Sequence, residues 1–305
     1  MDVILAGHNI DHDIIPEFQK LQPERQDLTP ETVAAAYARI SRNPRPVNEL
    51  RTIARGEVEK ARASNRNIVF EMGHSSIAEH AVFNLDVLNV SRLLVEEIER
   101  FRLASYTEKS QRYVLLADDF VIPQEVREAG MEEAFVETVR RQNRFYHTLY
   151  EKLLPYILER NPALAADPAN RSLLEGWAKE DARYCLSLAT ETQLGMTANA
   201  RNIELMIRRL AASPLAEARE CSRLLYDAVK GVAPSLVRYT EPTPYDRETP
   251  EAIRSQADEI ISKMLTRSPG GGQGEGIAPT DAGTADHLVR LLDATPAADD
   301  KIAAA

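Results

Sequence analysis

Apolar residues recur at three- and four-residue spacing across almost all of residues 124–232, and the pattern is broken only at Asn161-Pro162, Asp167-Pro168 and Ser213-Pro214. So long a helical stretch leaves room for only a small sheet. Strand patterns gather ahead of it. Val3-Ile4-Leu5-Ala6 ends at Gly7, and Ala81, Phe83, Leu85 and Val87 alternate with Asn84 and Asp86. Two short runs, Val114-Leu115-Leu116 and Phe120-Val121-Ile122, stop at Pro123 as strands do. Between these, Thr29-Pro30-Glu31 opens a helix carrying Val33, Ala36 and Ile40, residues 49–72 stay helical up to Gly73, and Leu93, Leu94, Ile98 and Phe101 predict a helix over 91–103. The expected fold class is α+β, a helix-dominated domain with a small mixed or antiparallel sheet.

Domain boundaries follow composition. Six of the 13 glycines fall between positions 270 and 283, so 268–284 reads as a linker and 285–305 as a helical tail whose Lys-Ile-Ala-Ala-Ala ending is what truncation would leave. No strand precedes this glycine run and no Gly-Lys-Ser/Thr closes it, which argues against a phosphate loop. Residues 1–244 are the expected catalytic domain and 245–267 a helical extension. With 37 Lys+Arg against 47 Asp+Glu the net charge is −10, which works against general nucleic-acid binding but leaves room for a local arginine cluster. No run reaches the roughly 18 apolar residues of a membrane span, and Met1-Asp2 does not open a secretory signal, so the expected address is the cytoplasm. Cys185 and Cys221 are too few for a disulfide framework and read as small core residues.

Three segments concentrate chemistry-bearing side chains. In Gly73-His74-Ser75-Ser76-Ile77-Ala78-Glu79-His80, a cap at Ser75 with Glu79 nearby accounts for the serine and glutamate without a ligand. It leaves the histidines unexplained. His74 and Glu79 lack a matching second ligand set for zinc, and a neutral imidazole donating to a bound molecule fits better. In the segment from Arg100 to Tyr113, three arginines stand with Ser105, Thr107 and Ser110. Guanidinium forks and hydroxyls of this kind cradle phosphate, and a solvated helix end is the plainer alternative. The third set is Arg183 among apolar neighbours, Asn199-Ala200-Arg201, and Arg208-Arg209. A charge in such a setting calls for a carboxylate or a ligand, and a structural ion pair is the other outcome.

Together these segments resemble the flavin-dependent thymidylate synthase family. Arg100-Phe101-Arg102, seven residues and Ser110 resemble its Arg-His-Arg, seven residues, Ser signature, and His74 to Phe83 resemble its His-x-x-x-x-Glu-His-Ala-x-Phe element. Ala182-Arg183 and Asn199-Ala200-Arg201 resemble two further elements, in the same order, over roughly residues 1–240. The resemblance implies a homotetramer with active sites between subunits. It also implies FAD as cofactor, NADPH and methylene-tetrahydrofolate as co-substrates, and deoxyuridine monophosphate (dUMP) as the nucleotide methylated. By the same likeness Arg100, Phe101, Arg102, Asn199 and Arg201 hold the flavin, with Ser76 and Glu79 nearby. Glu108, Ser110, Gln111, Arg112, Arg183 and Arg208 hold the nucleotide, Arg183 reaching over from another subunit. Arg209, Arg183 and His74 fall at the reacting centre, with Arg208 and Arg209 both open for the orienting role. No metal is implied, and neither cysteine is required to react.

The chain departs from the family pattern at Phe101 for His, Thr107 for Asn, Ser187 for Pro and Glu217 for Gln. These departures leave a second reading, a flavin- and nucleotide-binding paralogue that is silent or modifies another pyrimidine nucleotide.

Overall fold

Strand β1 (Asp2–His8) half-buries alternate side chains, Val3 and Leu5, and its partner β2 (Val82–Ser91) buries Phe83, Leu85 and Val87 in the same alternation. The computed structural model describes residues 1–10, 28–40 and 43–266. Between β1 and β2 lie α1 (Glu31–Ile40), α2 (Val47–Gly56) and α3 (Val58–Arg66). After β2 come α4 (Arg92–Glu99), β3 (Ala104–Glu108), α5 (Gln124–Glu128), α6 (Glu132–Arg160), α7 (Pro162–Ala165) and α8 (Arg171–Ala182). The last elements are β4 (Glu191–Asn199), α9 (Ala200–Ala211), α10 (Ala216–Lys230) and α11 (Pro244–Thr266). Two compact units divide at 253/254, and the described part of the second, 254–266, is helical. The linker and tail expected from residue 268 onward lie outside the described residues.

Among the described residues the four strands form one antiparallel sheet in the order β1-β2-β4-β3. Its inner face, with Phe83, Leu85, Val87, Leu194, Met196 and Ala198, merges with Ile203, Met206 and Ile207 of α9 and Cys221, Leu225 and Val229 of α10 into the main core. Its outer face is polar. Asn84 donates to the Thr197 hydroxyl at 2.8 Å, and a shallow cavity of about 260 Å³ runs between Asp86, Ser105 and Thr107, with Gly195 leaving its floor open. The helix-dominated α+β expectation therefore holds.

Several sequence expectations are corrected. Residues 124–232 are not helical throughout, because 191–199 is the central strand β4. Its buried Thr192, Leu194, Met196 and Ala198 do alternate, but Glu, Gln, Met and Ala favour helix and mask the period of two. The helix expected over 91–103 stops at Glu99, since the next residues turn into β3, where Tyr106 shares its hydroxyl proton between the carbonyls of Ile98 (3.1 Å) and Phe101 (2.8 Å). Burial, with Glu99 adding to it, pushes the Tyr106 phenol up to about 12 and keeps it a donor. Val114–Leu116 is not a strand, and Phe120 makes a single bridge to Thr190. The 49–72 stretch breaks at Glu57 into α2 and α3, with a π-helical turn, Asn67–Glu71, leading to Gly73 at φ +74°. Ser75 is not a cap: Ser75–His80 is a 3₁₀ helix with His74 in the cap position and no side-chain cap.

The expected start of α1 is present, because the Thr29 hydroxyl accepts from the Glu31 amide at 3.3 Å. Glu31 is fully buried, yet it receives Arg62 at 2.6 Å and the Ser235 amide at 2.7 Å, which satisfies its charge while tying α1 to α3 and to the chain after α10.

Candidate active site

Residues of the first and third segments meet at one corner of the sheet. The Ala200 amide donates to the Ala81 carbonyl at 2.9 Å, which sets the start of α9 beside the 3₁₀ helix, and there Arg201 forms an ion pair with Glu79. Asn199 caps α9, its side-chain oxygen accepting from the Asn202 amide at 3.0 Å, while Asn202 donates to the Leu103 carbonyl at 3.1 Å. Asn202 thus brings the chain just after Arg102 to the same corner. Arg102 is exposed and has no ion-pair partner among the described residues, and Arg100, also exposed, reaches Glu97 at 3.0 Å. Phe101 is half-buried and packs on the main core. His74 and Ser76 are exposed at the near end of the 3₁₀ helix. Among the described residues no three His, Cys, Asp or Glu side chains gather as a metal site.

Along β3 the chain leaves this corner. Glu108 is only 15% exposed, takes an ion pair from Arg92 and accepts from the Thr192 hydroxyl at 2.9 Å, so it braces α4 and β4. Arg92 in turn reaches Glu96 at 2.9 Å. The following turn is closed by the Ser110 side chain accepting from the Arg112 amide at 3.2 Å and by the Ser110 carbonyl accepting from Val114 at 3.1 Å, with Gln111 half-buried between. Lys179 donates to the Tyr113 carbonyl at 3.3 Å, holding the turn against the end of α8.

There Arg112 and Arg183 point at one oxygen, Oε1 of Glu180, from 3.9 and 3.7 Å. Each guanidinium also lies over an exposed tyrosine ring, Tyr113 at 5.5 Å and Tyr184 at 5.9 Å. Arg183 and Arg112 therefore meet within a single chain. Glu180 is the residue that the sequence reading missed. Its signal was its position three residues before Arg183, which directly follows the last residue of α8.

Arg208 and Arg209 separate. Arg208 reaches Asp246 at 3.1 Å and is largely covered, whereas Arg209 is exposed with no ion-pair partner among the described residues. Burial would raise the Asp246 carboxyl, but the Thr243 hydroxyl and amide together with Arg208 outweigh it and hold it below the usual range. Cys221 is buried and its thiol is pushed up to about 12, chiefly by burial and then by Glu217 and Glu220, while Cys185 is half-buried with its thiol also raised by burial. Both stay protonated near neutral pH.

Two departures have structural work. Glu217 accepts from the Ser91 amide at 2.8 Å and hydroxyl at 2.5 Å while Ser91 caps α4, and the Ser187 hydroxyl oxygen accepts from the Ala189 amide at 3.1 Å. Thr107 lies on the polar outer sheet face, and nothing in the structure explains it. A larger cavity of about 600 Å³ is lined by α6 residues alone, Arg141, Arg144 and Phe145 among them, and includes no motif residue.

An antiparallel sheet packed on one face against helices, with Arg102 and Arg209 lacking an ion-pair partner among the described residues and Arg112 and Arg183 loosely paired, defines an α+β protein with exposed cationic side chains among its motif residues. The comparisons supply the family. The model described as "Thymidylate synthase complementing protein" matches residues 25–235. A flavin-dependent thymidylate synthase of Clostridium tetani is 31% identical over 234 residues, 74% of this chain and 88% of that relative. One from Geobacter sulfurreducens is 30% identical over 221 residues, 70% of this chain and 83% of the relative. A crystal structure of flavin dependent thymidylate synthase ThyX from Helicobacter pylori, complexed with FAD and dUMP, aligns at a TM-score of 0.48 and 19% identity, covering 79% of this chain and 100% of that one. This chain belongs to the flavin-dependent thymidylate synthase family.

Proposed function

We propose that residues 1–244 catalyse the reductive methylation of dUMP to dTMP. Methylene-tetrahydrofolate supplies the carbon placed on C5 of the uracil, the flavin when bound supplies the completing hydride after reduction by NADPH, and one proton is taken up as tetrahydrofolate and NADP⁺ leave. The residues present suit FAD. Arg102 offers an unspent guanidinium and Arg100 an exposed one near the Asn199–Arg201 corner, a cationic donor set matched to a pyrophosphate. Phe101, Ser76, Glu79 and Arg201 complete this cofactor set.

On the nucleotide side, Arg112 and Arg183 bind the phosphate, with Ser110 and Gln111 fixing the turn that presents them and Glu108 anchoring that turn to the sheet. Arg208 is occupied by Asp246, so Arg209 takes the orienting role, and its positive charge offsets negative charge developing on the uracil. His74 lies at the open margin as a hydrogen-bond donor. The exposed Tyr113 and Tyr184 rings beside the two arginines support burial by further copies, in keeping with a homotetramer whose sites are completed between subunits. We place the reaction in the cytoplasm. No described helix is long and apolar enough to cross a membrane.

The observation that carries this reading is the meeting of Arg112 and Arg183 at one carboxylate inside the family-matched span. The purified protein, given FAD, dUMP, methylene-tetrahydrofolate and NADPH, is expected to form dTMP. Flavin binding without dTMP would instead favour the silent paralogue, the second reading that the Phe101 departure supports.

A further inference from the structure

Glu180 is oddly placed. It lies in the last turn of α8, where the helix dipole disfavours a negative charge, and it is 37% exposed rather than buried in a structural pair. What holds it there is two guanidiniums, Arg112 and Arg183, on its single oxygen Oε1. At 3.9 and 3.7 Å neither contact reaches hydrogen-bonding distance, so the N–H donors of both arginines stay unspent. Without a negative group between them, the two like charges would repel and splay. A phosphate dianion offers more charge and more acceptor oxygens than one carboxylate, so it wins both arginines in competition.

We propose that Glu180 is an internal anion that occupies Arg112 and Arg183 in the ligand-free protein and is displaced by the nucleotide phosphate, thereby moderating the affinity for a nucleoside monophosphate without affecting that for its nucleoside. This rests on the assignment of Arg112 and Arg183 to the nucleotide. Glu180 acts through the arginines and is a positioning residue.

The test is calorimetric titration of the FAD-loaded full chain with dUMP and with deoxyuridine, for wild type, Glu180→Gln and Glu180→Ala. Removing the competing charge is expected to tighten dUMP by about three- to tenfold in both variants, the scale set by loss of two exposed ion pairs, and to leave deoxyuridine affinity unchanged. A purely structural role for Glu180 would shift both ligands together. Unchanged or weaker dUMP binding in both variants, with normal wild-type affinity, overturns this proposal alone. A wild type that binds no dUMP overturns the functional assignment and this proposal together.

Discussion

The sheet corner and the end of α8 handle charge in opposite ways. Along the sheet, polar residues of the motifs are wired into the fold: Glu108 to Arg92 and Thr192, Asn199 to the first turn of α9. At α8 the charges are held loosely, the exposed Arg112 and the half-buried Arg183 sharing one carboxylate at 3.9 and 3.7 Å. A motif residue can therefore be needed for the shape of a site or for its ligand, and the distances separate the two. Substitutions in the first region should be read in melting curves, and those in the second in affinity.

The largest effect is expected at Glu108. Glu108→Ala leaves the mostly covered Arg92 with Glu96 alone and removes the Thr192 contact, and it should lower unfolding free energy by roughly 3 kcal/mol, the scale for breaking a largely buried pair. Urea denaturation checks this, and a loss under 0.5 kcal/mol would erase the contrast between the regions. Phe101→Ala comes next. Because this ring is half-buried on the main core, a loss of about 1.5–3 kcal/mol is expected by the same denaturation, and Phe101→His should fall between the variant and wild type. If Phe101→Ala melts like wild type but loses flavin, the ring belongs to the cofactor and not to the core.

Asp246 should give the smallest and most conditional effect. Its carboxyl is held below the usual range in the folded state, so the stabilisation is complete above the unfolded-state value of 3.8 and disappears as pH falls through the lower folded-state value. Asp246→Asn should thus cost stability at neutral pH and shrink that cost below about pH 4. A cost that does not change with pH would mean that the Arg208 contact contributes little.

How far the sequence carried depended on which physical signal dominated locally. Phe83, Leu85 and Val87 announce β2 because large apolar residues alternate with Asn84 and Asp86. In β4 the same alternation is written in Thr, Leu, Met and Ala over a Glu/Gln background, and helix propensity hid it. β3 was missed because Ala104–Glu108 is short and half polar, and only its pairing with β4 makes it a strand. At the site, arginines were legible by type, since a cationic cluster is visible in any order. Their partners were not: Arg92 meets Glu108 across α4 and β3, and Asp246 reaches Arg208 from far along the chain. Only the Glu180–Arg183 spacing was local enough to have been read.

The contrast is tested most directly by measuring dUMP affinity and melting on the same preparations of wild type and Arg112→Ala. Arg112 is exposed and loosely paired, so the variant should melt with wild type to within about 0.5 kcal/mol of stability. Its dUMP binding should weaken by about 1.5–3 kcal/mol, roughly ten- to a hundredfold, from the lost charge-assisted contact. A variant that keeps wild-type dUMP affinity while melting early would contradict the account, because Arg112 would then be a structural residue like those along the sheet.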